Sequence, residues 1–171
     1  MRKQPNSATK QYLNTKMETR KIQVPNDVLI AEIKRMLDKG HSATFRVKGY
    51  SMRPFLENER DIVKIEQTPA ESIKENDVVL AEIATKKYVL HRVIDRTDNQ
   101  LTLRGDGNIQ GIEHCLDTDV VGIATAFYRK GRAKPDTIDG VKWKLYSNIW
   151  LFLTPFRRIL LGIYRRLPFK L

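Results

Sequence analysis

The sequence has a single cysteine, Cys115, and no long hydrophobic run. One cysteine excludes an internal disulfide framework and is typical of a reducing compartment. The longest uncharged run, residues 145–156, is too short to span a bilayer as a helix. Residues 1–24 lack the apolar core of a secretory signal peptide. We therefore expect a protein that is cytoplasmic or bound at the cytoplasmic face of a membrane, with no signal peptide and no clear transmembrane helix.

Candidate metal ligands are also scarce. The three histidines, His41, His91 and His114, have no cysteine or second histidine at the spacing of a metal site. We therefore expect neither a metal site nor a cofactor.

The formal net charge of the 171-residue chain is +11, and the two ends supply it. Residues 1–24 hold six basic side chains against one acidic, and residues 129–171 hold eleven against two. Basic ends indicate an anionic partner, either a membrane surface or nucleic acid. For the N-terminal end, charge that only keeps the protein soluble fits equally well.

A leading helix and a series of strands make up the predicted body. The helix covers residues 25–40, with Asn26 or Asp27 as its cap and Gly40 as its terminating residue. Segments that alternate or are rich in Val and Ile then predict strands at 44–48, 61–66, 77–83, 88–96, 100–104 and 120–128. Residues 97–100 predict a hairpin turn. The predicted fold is mainly β, a small coiled antiparallel sheet or barrel.

These patterns divide the chain into four parts. Residues 1–24 are predicted to be a flexible basic tail, and residues 25–128 a β domain with its leading helix. Gly131, Pro135 and Gly140 fall in a polar linker, 129–142. Residues 143–171 are predicted to be a basic amphipathic helical tail.

The stretch Gly49-Tyr50-Ser51-Met52-Arg53-Pro54 is the first candidate for chemistry. Ser51 follows a predicted strand on a bend that a glycine and a proline restrict. A serine nucleophile needs such an exposed but rigid position. A turn serine that only caps its own backbone is the plainer interpretation of so short a motif.

Two further stretches add a candidate base and a candidate acid. His91 lies in a predicted strand, and Asp106 lies in Arg104-Gly105-Asp106-Gly107-Asn108. A neutral imidazole can accept the proton of a serine, and a carboxylate can hold the imidazole in the right tautomer. Taken singly, the histidine is more often a packed residue and the acidic stretch a loop. The hairpin places the two strands side by side, but spacing does not show whether His91 reaches Ser51.

Taken together, these motifs resemble the signal peptidase superfamily, which includes the self-cleaving repressor proteases. The nucleophile motif Gly-x-Ser-Met-x-Pro is present at 49–54, and residues 60–63 and 76–79 match the strands that follow it. Bacterial members carry a lysine base where this chain has His91. The histidine and the stretch at 104–108 are similar to the endoplasmic-reticulum and archaeal type. The resemblance covers about residues 44–122.

The resemblance implies that Ser51 is the nucleophile, His91 the general base and Asp106 the acid that orients it. It also implies an oxyanion and substrate-binding surface around the Ser51 N–H, formed by Gly49, Tyr50, Met52 and Pro54. Gly49 cannot offer the hydroxyl that some relatives use there. Some histidine-type relatives have a second acid after this point, but the nearest candidates, Glu113 and Asp117, lie at unconvincing spacings.

The predicted function is that of a serine endopeptidase that cleaves a leader, signal or precursor peptide. The alternatives are a self-processing protease and a non-catalytic module that binds peptide or membrane. Residues 143–171 suit an interfacial helix on an anionic membrane, although packing on the protein's own sheet or on a second copy is the alternative. Basic ends without an aromatic-rich β surface argue against a sequence-specific nucleic-acid partner.

Overall fold

The computed structural model describes residues 25–166, and an antiparallel sheet is their main element. Within that range there are three α-helices and eight strands: α1 (Asn26–Asp38), β1 (Ala43–Arg46), β2 (Ile62–Glu66), β3 (Val78–Ala84), β4 (Lys87–Thr97), β5 (Gln100–Arg104), β6 (Glu113–Leu116), β7 (Val120–Tyr128), β8 (Asp136–Thr137), α2 (Val141–Phe152) and α3 (Arg157–Arg166). The strand order is β1-β2-β7-β3-β4-β5-β6, and β8 pairs with β7. This confirms the predicted fold class. The predicted tail at 1–24 lies outside the described residues.

Helix α1 ends as predicted but begins differently. Gly40 has a φ of 74° and donates its N–H to the Leu37 carbonyl at 2.8 Å, while the His41 N–H reaches the Met36 carbonyl at 3.0 Å. This pair of bonds is a Schellman motif, which satisfies the last free carbonyls of a helix. At the other end Pro25 occupies the cap position and no side chain caps the helix. The prediction that Asn26 or Asp27 is the cap is therefore wrong.

The six predicted strands correspond to β1–β5 and β7. The hairpin turn is also confirmed, because Thr97 pairs with Gln100 across it and Asp98 takes a φ of 53°. Strands β6 and β8 were not predicted. They are four and two residues long, too short to give a clear alternation.

Alternation along the two central strands creates two cores, one on each face of the sheet. In the β3–β4 pair, Val78 lies opposite Arg92 and Val79 lies opposite His91. Val78 belongs to the larger core, which α1, β2 and β7 share, and Val79 belongs to the smaller core, which includes Cys115. Successive side chains of a strand point to opposite faces. Arg92 therefore points toward the larger core and His91 toward the smaller one.

The segment predicted as a linker and a tail packs on this sheet. The predicted linker at 129–142 contains β8 and the first residues of α2. Trp143 of α2 stacks on Phe127 with ring centres 4.5 Å apart and meets Phe55 edge-on at the same distance. Through Trp143, α2 is therefore part of the larger core. Across residues 25–166, every helix is too short or too polar to cross a membrane.

Candidate active site

Ser51 lies in a tight turn that its neighbours anchor on both sides. Gly49 has a φ of +99°, a conformation that favours glycine, and its N–H donates to Oδ1 of Asn58 at 2.8 Å. Met52 is buried, whereas Tyr50 is 59% exposed. The buried Met52 and the bond to Asn58 therefore fix the turn, and Ser51 lies half-buried at the surface. This is the rigid placement that the sequence predicts for a nucleophile.

The glycines at 105 and 107 form a platform under this turn. The Gly107 N–H donates to the Ser51 carbonyl at 2.7 Å, and a Cβ on Gly107 would lie 2.6 Å from the Tyr50 carbonyl oxygen. A Cβ on Gly105 would clash with the Ser51 carbonyl and lie 3.0 Å from Nε2 of His91. The nucleophile turn and the imidazole therefore meet at Gly105, where only a glycine fits.

His91 is buried in β4 and is held by a carboxylate. Its Nδ1 lies 2.9 Å from Oε2 of Glu113. Burial lowers the pKa of His91, although the charge and hydrogen bond of Glu113 and, after them, the charge of Asp106 act in the opposite direction. In the resulting neutral ring, Nδ1–H donates to Glu113 and leaves Nε2, the atom beside Gly105, as a proton acceptor. Among residues 25–166 no hydrogen bond joins the Ser51 hydroxyl to His91, and catalytic contacts often tighten only with substrate.

Asp106 has a different partner from the one predicted for it. Its two carboxylate oxygens accept from Nε and Nη2 of Arg92 at 2.9 and 2.7 Å, and both side chains are fully buried. The third guanidinium nitrogen of Arg92 donates to the Asn76 carbonyl at 3.0 Å and to Oγ of Ser147 at 2.9 Å. Arg92 points away from the face of β4 that carries His91. Asp106 thus ties the glycine platform to α2 through Arg92.

Glu113 is the site residue that the sequence analysis did not select. It is the first residue of β6 and pairs with Leu103 of β5, which itself pairs with Val93 of β4. Residues paired across a sheet share a face, so Glu113 lies on the face of Val93. Val93 and His91 are two residues apart on β4 and also share a face, so Glu113 lies on the face of His91. The sequence Glu-His-Cys-Leu at 113–116 does not alternate in polarity, and the burial of Cys115 between exposed neighbours is seen only in the structure.

Helix α3 borders the nucleophile turn from the other side. The Tyr164 hydroxyl donates to Oε1 of Glu57 at 2.7 Å, and Oε2 of Glu57 accepts from Arg53 at 2.9 Å. The guanidinium of Arg53 covers the Tyr50 ring at 4.1 Å. A cavity of about 180 Å³ lies between these groups, lined by Tyr50, Arg53, Gly107, Leu161, Tyr164 and Arg165. Pro54, half-buried after a cis peptide bond, completes the turn.

Comparison with known proteins gives one further result about this site. Residues 6–124 match the Peptidase S24-like family. The matched range includes the nucleophile turn, β4, the glycine platform and Glu113. No curated protein matches the chain. The match confirms the predicted kinship at the level of the peptidase family, and the finer resemblance to the histidine-base type stays a prediction.

Proposed function

The chain belongs to the Peptidase S24-like family, and from this premise we propose that it is a serine endopeptidase. Membership suggests a serine peptidase, and the residues suited to the task are Ser51 as nucleophile, His91 as general base and Glu113 as the acid that orients the base. One observation carries the proposal. Nε2 of a buried imidazole whose Nδ1 contacts a carboxylate, and the backbone carbonyl of Ser51, lie against the same glycine.

In the proposed reaction, Oγ of Ser51 attacks the carbonyl carbon of the scissile peptide bond and its proton passes to Nε2 of His91. Glu113 stabilises the imidazolium that forms. His91 then gives the proton to the leaving amine as the C–N bond breaks. Water, activated in turn by His91, hydrolyses the acyl-enzyme and releases Ser51 with its proton restored.

The proposed donor for the oxyanion is the backbone N–H of Ser51. Gly49 offers no hydroxyl, and its N–H is already bonded to Asn58. One oxyanion donor contributes about 3 kcal/mol in enzymes where its loss has been measured. We therefore expect a slower enzyme than one with two such donors, unless the substrate-bound turn supplies another N–H.

The proposed substrate is an extended leader, signal or precursor peptide. An extended peptide bonds by strand addition beside a site of this kind. The exposed Tyr50 and the small cavity behind it are the surfaces next to Ser51 that such a chain would meet. Small residues before the cleaved bond are expected from the family resemblance.

The test is cleavage of a diverse peptide mixture, read by mass spectrometry, with wild type and Ser51→Ala. Ser72→Ala is the matched control, because Ser72 is exposed and belongs to neither the nucleophile turn nor the platform. We expect cuts with wild type and the control and none with Ser51→Ala. Cleavage by Ser51→Ala at the wild-type rate, or none by any protein, contradicts the proposal.

Two additional measurements refine the same experiment. The intact mass of each purified protein shows whether the chain cuts itself, which would make it a self-processing protease. His91→Lys tests equivalence with the lysine-base relatives, for which we expect some retained cleavage. Peptide binding without cleavage in both wild type and Ser51→Ala would instead support the binding-module alternative.

A further inference from the structure

Helix α2 is apolar on two opposite faces. Trp143, Ser147 and Trp150 face the body and are buried. The opposite side carries Val141, Leu145, Ile149 and Phe152, which are spaced by four, four and three residues and therefore share one face. These side chains are 48–82% exposed. A helix on the surface of a protein needs only one apolar face to pack on the sheet. The exposed apolar face of α2 is not explained by that packing and indicates an interaction site.

The same arrangement continues beyond α2. Arg157, Leu161 and Tyr164 are the buried residues of α3, and the exposed side of this segment carries apolar residues again. We name as the outer face the seven exposed apolar residues Val141, Leu145, Ile149, Phe152, Phe156, Ile159 and Ile163. They make up seven of the thirteen large hydrophobic side chains that are exposed in residues 25–166. Exposed apolar surface is therefore concentrated here and is sparse on the sheet.

The charges around the outer face identify its partner. Residues 141–166 contain six basic residues and no acidic one. Lys144, Arg158, Arg165 and Arg166 are exposed among the apolar side chains. Lys142, also exposed, is partly neutralised by Asp136 at 2.7 Å. Asp136 and the exposed Asp139 lie just before Val141, but every charged side chain within 141–166 is a cation. An apolar surface with such a basic surround is complementary to an anionic lipid surface, where apolar side chains enter the acyl boundary and cations meet the headgroups.

A second copy of the chain fits this surface poorly. A two-fold dimer would press the same patch against itself and bring the cations of both copies together without counter-charges. Anionic lipids supply those counter-charges. We propose that the outer face of α2 and α3 docks on an anionic membrane, with both helices lying in the plane of the interface and the sheet held above them.

Docking through this face has a consequence for the active site. The inner side of α3 contacts the nucleophile turn through Tyr164 and lines the cavity beside Tyr50. The site then lies about one helix diameter, roughly 10 Å, from the lipid surface. This consequence rests on the proposed function, and it favours substrates that are themselves at a membrane. The docking itself does not depend on catalysis.

The test is flotation of the full chain with vesicles of phosphatidylcholine, with and without added phosphatidylglycerol. The triple variant Leu145→Gln, Ile149→Gln, Phe152→Gln removes apolar side chains that are exposed, so circular dichroism should show an intact fold. We expect wild type to bind the anionic vesicles and the triple variant to bind at least about tenfold more weakly. Val28→Gln, an equally exposed apolar site on α1, is the matched control and should bind like wild type.

A second variant separates the charges from the apolar contact. Arg158→Gln with Arg166→Gln should weaken binding to anionic vesicles and reduce its dependence on salt. Lys39→Gln, which removes an exposed cation just after the end of α1, should not. Equal binding by wild type and the triple variant would overturn the proposal.

Two other results would also overturn it. One is the absence of binding to any vesicle. The other is a dimer in sedimentation velocity that the triple variant dissociates, since this would show that a second copy covers the outer face. Peptide cleavage measured without vesicles should be the same for wild type and the triple variant. Failure of the proposed peptidase activity is thereby distinguished from failure of membrane docking.

Discussion

Two adjacent residues of β4, His91 and Arg92, each pair with a carboxylate, but on opposite faces of the sheet. Arg92 and Asp106 are buried to 0 and 1% exposure, and the remaining donors of Arg92 reach Asn76 and Ser147. His91 is buried, yet its partner Glu113 is 24% exposed. The first pair is closed on all sides, whereas the second opens toward Ser51 and solvent.

The side chains of each pair determine whether it can take part in proton transfer. An arginine cannot lose its proton at any ordinary pH. The pair of Arg92 and Asp106 can therefore link the glycine platform to α2, but it cannot transfer protons. A neutral imidazole that donates through Nδ1 keeps its other nitrogen available. We therefore propose a structural role for Asp106 and a catalytic one for Glu113. Each of the following variants tests one side of that assignment.

The largest effect is expected for Asp106→Asn. The variant leaves the Arg92 guanidinium buried without a counter-charge, which costs about 3–5 kcal/mol in comparable buried pairs. Urea unfolding should show this loss, and activity should fall because less protein is folded. Asp95→Asn, at an exposed site on β4, is the control and should change stability by less than about 0.5 kcal/mol. A stable but inactive Asp106→Asn protein would mean that Asp106 has a catalytic role through His91 and is not only structural.

Glu113→Gln should give the opposite result. The amide no longer stabilises the imidazolium and can hold the ring in the wrong tautomer, so kcat should fall by about 100-fold or more. Because Glu113 is partly exposed, we expect a loss of stability below about 1 kcal/mol. Peptide cleavage rates and urea unfolding of the same preparation measure both quantities. Unchanged kcat would contradict the catalytic role of Glu113. Glu71→Gln, at an exposed site distant in the chain, controls for the loss of one negative charge.

Gly105→Ala tests the contact between the nucleophile turn and His91. The added methyl group would clash with the Ser51 carbonyl and crowd Nε2 of His91, so one of the two must move. A displacement of about 1 Å at a reacting group costs roughly 100-fold in rate. Gly111→Ala is the matched control, because its Cβ would meet no atom closer than 3.6 Å. Full activity of Gly105→Ala would show that the turn and the imidazole do not meet there.

Much of the fold was predictable because β3, β4 and β7 are rich in Val and Ile, β5 alternates, and a hairpin turn joins β4 to β5. The turn at 49–54 and the strand that carries His91 were predictable from the sequence, and their catalytic roles stay a prediction. The contact between His91 and Glu113 was not predictable, because the face on which Glu113 lies depends on the register of β6, a four-residue strand. The docking of α2 was left open for a related reason. A helix that is apolar on both faces does not reveal which face packs inward.

The activity should depend on pH through the protonation of His91. Burial lowers the pKa of His91 below the usual histidine value of about 6.5. The ring therefore stays neutral, and can act as a base, at pH values somewhat below that value. Activity should therefore persist into mildly acidic solution and fall only as pH drops through the lowered pKa. Glu113 acts to raise this pKa. Removing its charge in Glu113→Gln should move the acid limb of the profile to still lower pH.

The most direct test is a nitrogen-detected NMR titration of the His91 ring in wild type, Glu113→Gln and Asp106→Asn. Wild type should show a neutral ring protonated at Nδ1, with a pKa below the usual range. Glu113→Gln should lower the pKa further and disturb the tautomer, whereas a folded fraction of Asp106→Asn should keep the Nδ1–H form. A ring protonated at Nε2 in wild type, or a titration that responds to Asp106 and not to Glu113, would contradict the account.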